Sequence, residues 1–416
     1  MRVLITVIAV KTHLYNAVPL AWALRAAGHD VRVAGQPDLA DAITAAGLTA
    51  VPVGEELAMG RSSSGPRGQT FRAHGGGMLP PDELTWEHAL GAFTVACPVE
   101  YEFFADQTVL DDLVGYARQW QPDLVIWDAL TFSGAIAAHA SGAAHARLLF
   151  GIDYVTRMYD GFVRLRDQQP AERREDPVAE WLAGRLARYG CESHPGLDRE
   201  LMTGQACIDP TPSWMQTPLD LPWLPMRFVP YNGGEAAPDW VYERPDRPRV
   251  CLSLGMSGRD LFGGDQVSVV ELVTALATLD VEVVATLTAG QLDGARLPDN
   301  VRVVDFVPLN DLLPTCAAIV QHGGFGTLGN VLTHGVPSLT VPAPWWDERD
   351  LGRHLHERGA GLLLEPERIT PAALTDAVRE LLTDPRHREN AEDVRREILA
   401  TPSPAAVTSA LEQLAG

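Results

Sequence analysis

The segment QHGGFGT, residues 321–327, gathers a histidine, three glycines and a threonine into seven positions. It follows the short apolar run Ala317, Ala318, Ile319 and Val320. A bounded, partly β-branched run of that length suits a buried parallel strand. Gly323 and Gly324 then permit a sharp turn, and Gly326 keeps the backbone bare where a helix must begin. A helix start carries unpaired N–H groups and roughly half a positive charge, a seat for a phosphate or pyrophosphate. His322 and Thr327 would add side-chain donors. The pattern is not GxGxxG and no lysine follows the glycines, so neither a nicotinamide dinucleotide nor ATP is the expected ligand. Taken alone, GGxG serves a tight strand-to-helix turn equally well.

A second chemical candidate lies near the start of the chain. The apolar run from Val3 to Val10 reads as a first strand, and His13 falls close to its carboxyl end. An imidazole accepts a proton near neutrality, and a carboxylate on its other ring nitrogen would fix the tautomer and stabilise the imidazolium. Asp128, directly after the apolar run Leu124 to Trp127, also falls at a strand's carboxyl end and is the natural partner. As isolated residues, both have ordinary structural readings.

The elements that must position these groups form a doubly wound α/β pattern. The first strand is followed by a helix from about Leu14 or Asn16 to Ala27, with Pro19 expected in its first turn, and then by a strand from His29 to Ala34. This βαβ opening places ligands beyond the carboxyl ends of strands. At 416 residues the chain fits two domains of about 200 residues each. Residues from about 55 to 85 are glycine-rich and polar and read as a long loop, in which His74 is either a solvated residue or a ligand contact. Nine prolines between Pro210 and Pro248 exclude a helix or central strand there and mark the crossing between domains.

Bulk properties exclude other classes. Lys and Arg number 33 against 54 Asp and Glu, and a net charge of −21 repels nucleic acid and anionic membranes. No apolar run reaches the roughly 18 to 20 residues that span a bilayer. MRVLITVIAV lacks a cleavage site and reads as a strand, so the expected location is the cytoplasm. Five scattered cysteines form no CxxC pair, which predicts neither disulfides nor a zinc site. No DxD-like metal motif adjoins the glycine turn, and no metal or other cofactor is expected.

Three segments, FVPLNDLLPTC, HGGFGT and HGVPSLTVPAPWWDE, agree in order and spacing. They resemble the donor-binding signature of GT-B glycosyltransferases that take nucleotide-activated sugars. Toward the N-terminus, HLYNAVPLAWALRAAGHDVRVA, AGLTAVPVG, LTWEHALG, QPDLVIWDALTF and IDPTPSWMQTPLDLPWLPMRFVPYNG resemble actinomycete transferases. Those enzymes move deoxysugars from thymidine diphosphate (TDP) to polyketide aglycones such as macrolides and anthracyclines, and the likeness covers nearly the whole chain.

The resemblance implies two Rossmann-like domains facing across a cleft. Residues 1–215 would bind the acceptor, 216–248 would be a proline-rich linker, and 249–395 would bind the donor. Residues 396–416 would form a helix returning to the first domain. It implies an inverting transfer with His13 as general base oriented by Asp128. Ser257, His322, Gly324, Gly326 and Thr327 would hold the diphosphate, and Val307 and Pro308 would read the nucleobase. Trp346, Asp347 and Glu348 would face the sugar, while His74 and Trp86 fall on the acceptor side. The family commonly shows Asp-Gln where this chain has Asp347 and Glu348. The added charge beside Trp345 and Trp346 suits a cationic amino sugar, whereas the plain reading makes Glu348 a solvated helix-start residue. The implied partners are a sugar nucleotide, a polyketide aglycone and a cytochrome P450-like auxiliary protein, with the oligomeric state, a homodimer included, left open. Rival readings are a sugar-nucleotide epimerase on the same frame and a non-catalytic sugar-nucleotide-binding protein. An NAD-dependent oxidoreductase is weakest, since KTHLYN stands where its first glycine-rich turn should be.

Overall fold

The computed structural model describes residues 1–58, 83–216, 219–255, 268–292, 294–343 and 346–416. These fall into two compact units, residues 1–226 with 402–416, and residues 227–401. In the first, β1 (Arg2–Thr6), β2 (Asp30–Gly35), β3 (Thr49–Pro52), β4 (Leu124–Asp128), β5 (Ala144–Leu148), β6 (Ala206–Asp209) and β7 (Trp223–Pro225) form one sheet. Its order is β3-β2-β1-β4-β5-β6-β7, and every pairing is parallel. The runs VLIT in β1 and LVIWD in β4 do not alternate, because helices cover both faces of a parallel sheet and every side chain is buried.

The second unit repeats the plan with β8 (Arg249–Ser253), β9 (Glu282–Thr286), β10 (Val301–Val304), β11 (Cys316–Gln321), β12 (Ser338–Thr340) and β13 (Gly361–Leu363). These run parallel in the order β10-β9-β8-β11-β12-β13. Val250, Leu252, Val283, Ala318, Val320 and Leu339 form part of its core, against Leu272 and Val273 of the helix Val269–Leu276 and Leu374 and Val378 of the helix Pro371–Thr383. Strand order reverses once in each unit, between β1 and β4 and between β8 and β11. Those reversals are where a doubly wound sheet opens a crevice for ligands.

Several expectations need correction. The first helix, α1 (Lys11–Ala26), begins earlier than proposed, so Pro19 lies inside it rather than in its first turn. Burial of Leu14, Ala17, Val18, Leu20, Ala21 and Leu24 outweighs the helix bond that Pro19 cannot donate. The proline-rich stretch is not a free crossing. Trp223–Pro225 joins the sheet as an edge strand, where proline is tolerated, and Val241 is fully buried in the second unit's core beside Val307 and Leu312. The division proposed at residue 396 falls inside the helix Pro385–Ala400. The helix Pro404–Ala415, capped by Ser403, packs on α1 and β5, and its Glu412 lies 3.0 Å from His29 Nε2. Among the described residues no helix is long and apolar enough to cross a membrane.

Candidate active site

In the first unit, parallel pairing sets Thr6 of β1 opposite Trp127 of β4. Asp128, the next residue of β4, therefore emerges beside the connection from β1 to α1. His13 stands in the first turn of α1, where its N–H and that of Leu14 both donate to the Val10 carbonyl (3.0 and 3.3 Å). The imidazole Nδ1 lies 2.6 Å from Asp128 Oδ2. The two side chains are 14% and 2% exposed, so the acid is sealed while the ring reaches solvent. The other carboxylate oxygen, Oδ1, accepts from the Leu130 N–H (3.0 Å). A carboxylate can only accept, so Nδ1 carries the proton and Nε2 keeps a free lone pair. Beneath the pair, the Thr6 and Thr131 hydroxyls are 3.0 Å apart and Thr131 donates to the Asp128 carbonyl (2.9 Å). The helix Phe132–Ser141 approaches so closely that a Cβ on Gly134 would come within 2.5 Å of Thr6 Oγ1 and Trp127 Cβ.

In the second unit, Gln321 ends β11. Its Oε1 accepts from the Gly323 N–H (2.6 Å) and its Nε2 donates to Thr340 Oγ1 (2.9 Å). Half-buried His322 lies against two glycines. A Cβ on Gly255 would fall 2.4 Å from its Cε1, and one on Gly324 would fall 2.4 Å from its Nε2. Any other residue at either position would displace the imidazole. Gly323 takes φ +99°, and a Cβ there would strike Glu348 Cβ at 2.7 Å. The helix Phe325–His334 then begins at Gly324 with no side-chain cap and no acidic residue in its first turn. Its leading N–H groups and positive end thus carry no side-chain cap and face no acid from the helix's own first turn. Gly326 is exposed, and a Cβ there would meet nothing within 4 Å.

The remaining predicted positions divide. The Thr327 N–H donates to the Gly324 carbonyl (3.0 Å), so its hydroxyl is the donor left to offer. The Val307 side chain is buried in the core, and Pro308 precedes the short helix Leu309–Leu312, so only backbone there could read a base. Asp347 is buried at the N-cap of the helix Glu348–Glu357, next to Trp346. Glu348 is not a solvated residue: its Oε2 accepts from the Trp346 N–H (2.7 Å), and burial pushes its carboxyl up to about 7. Trp86 stacks on Phe162 with ring centroids 5.5 Å apart, packing the helix Trp86–Val95 against Tyr154–Asp167. His74, Ser257 and Trp345 lie outside the described residues. Among the described residues no three His, Cys, Asp or Glu side chains cluster as a metal ion would require.

Sequence reasoning missed Gln321, Gly255 and two residues near His13: Asn16, whose Nδ2 donates to the Leu149 carbonyl (2.8 Å), and Phe150, whose ring centroid lies 4.4 Å from that of the imidazole. Asn16 was detectable in principle, because it lies three residues after His13 and shares its helix face. Gly255 and Phe150 are defined only by what the fold brings against them.

Two parallel sheets of this order, one reversal carrying a histidine–carboxylate pair and the other a bare helix start, form the frame of a GT-B glycosyltransferase. A crystal structure of the glycosyltransferase VinC in complex with DTDP superposes on the chain with a TM-score of 0.90 at 45% identity, covering 100% of this chain and 99% of that one. Residues 22–255 match the erythromycin biosynthesis protein CIII-like N-terminal domain, and residues 270–414 match the corresponding C-terminal domain. The aclacinomycin-T 2-deoxy-L-fucose transferase of Streptomyces galilaeus is 46% identical over all of this chain and 96% of its own length. The 10-deoxymethynolide desosaminyltransferase of Streptomyces venezuelae is 47% identical over all of this chain and 97% of its own. The chain belongs to the erythromycin biosynthesis protein CIII-like family of glycosyltransferases.

Proposed function

We propose that the protein moves a deoxysugar from a TDP-sugar to a hydroxyl of a polyketide aglycone, in the cytoplasm, with inversion at the anomeric carbon. The observation that carries the mechanism is the 2.6 Å bond from His13 Nδ1 to buried Asp128. It leaves Nε2 basic, and Nε2 takes the proton as the aglycone oxygen forms its bond to the anomeric carbon. The bond from that carbon to the diphosphate oxygen breaks in the same step, and the electron pair leaves with TDP. Asp128 then stabilises the imidazolium without itself accepting the proton. Charge growing on the departing diphosphate is met by the helix start at Gly324 to Gly326, by Thr327 and by His322. TDP as the carrier is supported by the DTDP complex of the similar VinC structure. A polyketide acceptor is supported by the similarity to the aclacinomycin-T 2-deoxy-L-fucose transferase and the 10-deoxymethynolide desosaminyltransferase.

The test is transfer by the purified chain from a panel of TDP-deoxysugars to macrolide and anthracycline aglycones, read by mass spectrometry, with and without a P450-like auxiliary protein. Glycoside of inverted anomeric configuration is the expected product, and EDTA should leave the rate unchanged. Conversion of the TDP-sugar with no aglycone present would favour the epimerase reading instead.

A further inference from the structure

The segment after β5 carries Phe150, whose ring meets the His13 imidazole edge-on with centroids 4.4 Å apart and planes at 60°. One turn along α1, buried Asn16 donates from Nδ2 to the Leu149 carbonyl (2.8 Å). The helix bearing the histidine is thus tied to this segment at two neighbouring points. The segment itself is fixed from behind. The Leu149 N–H donates to the Ile208 carbonyl (2.9 Å). The Gly151 carbonyl accepts from Thr211 Oγ1 (3.1 Å) and Gln216 Nε2 (2.9 Å). Asp153 is ion-paired with fully buried Arg147. Phe150 also packs against a small apolar cluster formed by Ala129, the residue after Asp128, with Leu149 and Cys207.

A hydrogen bond to one ring nitrogen holds that nitrogen but leaves the ring plane free to rock about it. A second contact on the ring's flank removes that freedom and aims the opposite nitrogen. We propose that Phe150 is a positioning residue for His13. Asp128 fixes Nδ1, Phe150 fixes the ring plane, and the Asn16–Leu149 bond keeps the two in register, so that Nε2 is held where it must take the proton. This rests on the reading of His13 as general base. A reactive group misaimed by a fraction of an ångström loses rate without losing substrate.

The experiment compares Phe150→Leu, Phe150→Tyr, Asn16→Ala and His13→Ala in the full chain, measuring kcat, both KM values, TDP affinity and the proton NMR signal of the His13 Nδ1–H. Phe150→Leu is expected to lower kcat roughly 10- to 100-fold with TDP affinity unchanged, and to shift or broaden the Nδ1–H signal. Phe150→Tyr, which keeps the ring, should recover most of the rate. Asn16→Ala, which leaves both rings intact, should lower kcat in the same direction by a smaller factor. A Phe150→Leu enzyme with kcat within about twofold of the parent and an unmoved Nδ1–H signal would overturn the proposal. So would a loss confined to the aglycone KM, since that marks an acceptor contact. His13→Ala separates the two readings: if it still transfers sugar, the base assignment fails first, whereas an inactive His13→Ala beside a normal Phe150→Leu removes only the role given to Phe150.

Discussion

The two strand-order reversals are topological counterparts to which the proposed mechanism gives opposite chemistry. Asp128 ends β4 and Gln321 ends β11, each on the strand across the reversal from the first strand of its unit. Each turns a side-chain oxygen onto the N–H two residues ahead, of Leu130 and Gly323 respectively. They part at the second polar atom. The carboxylate of Asp128 accepts from His13, whereas the amide of Gln321 donates to Thr340. A buried carboxylate is what a proton-accepting histidine needs beside it. The same charge beside the proposed diphosphate seat would repel the ligand, and the amide keeps the bond to the Gly323 N–H while removing that charge.

The comparison is broken most severely by giving each reversal the other's residue type. Asp128→Asn keeps the turn but puts a neutral amide on His13, and should cut kcat by about 100- to 10,000-fold with TDP affinity within about twofold, as steady-state kinetics and calorimetry would show. Gln321→Glu is the converse. It should weaken TDP binding roughly 10- to 100-fold, through a buried charge near the diphosphate, while the His13 Nδ1–H signal stays in place. If it bound TDP normally, the amide would be serving the turn alone.

Gly326→Ala sharpens the second region. The new methyl meets no protein atom, and alanine favours a helix over glycine by about 0.5–1 kcal/mol, so the melting temperature should hold or rise. Donor affinity should nonetheless fall by about 10-fold if phosphate sits against that backbone. An unchanged affinity would return the glycine to a plain turn. The smallest expected effect concerns Glu348. Because burial lifts its carboxyl to about 7, it ionises between pH 6 and 8. Preference for a cationic amino-sugar donor over a neutral one should therefore rise with pH across that window, by roughly 3- to 10-fold, and Glu348→Gln should flatten it. A pH-independent preference would remove Glu348 from sugar selection.

Much of this was legible in the sequence because it is local. The unalternating runs of β1, β4, β8 and β11 announce buried parallel strands, and Asp176–Pro177, Asp384–Pro385 and Ser403–Pro404 announce helix starts that the structure retains. His322, Gly323 and Gly324 lie side by side, so their turn could be read directly. Phe150 could not be found in this way. It lies far along the chain from His13, and nothing in LLFGID marks one aromatic ring as the neighbour of an imidazole. The early start of α1 was hidden for a related reason. Pro19 sends a strong local signal against a helix interior, and only burial of the surrounding face outweighs it.

By itself the sequence determined the alternation of strands and helices, the glycine turn and the residue types able to hold a diphosphate or take a proton. Those follow from periodicity, backbone freedom and side-chain chemistry, which act within a few residues. Tertiary structure alone decided which further groups meet: Asn16 against Leu149, Phe150 on the flank of the His13 ring, and Gly255 against His322. Such contacts depend on strand order and register, and these are set by how whole layers pack rather than by any stretch of neighbouring residues.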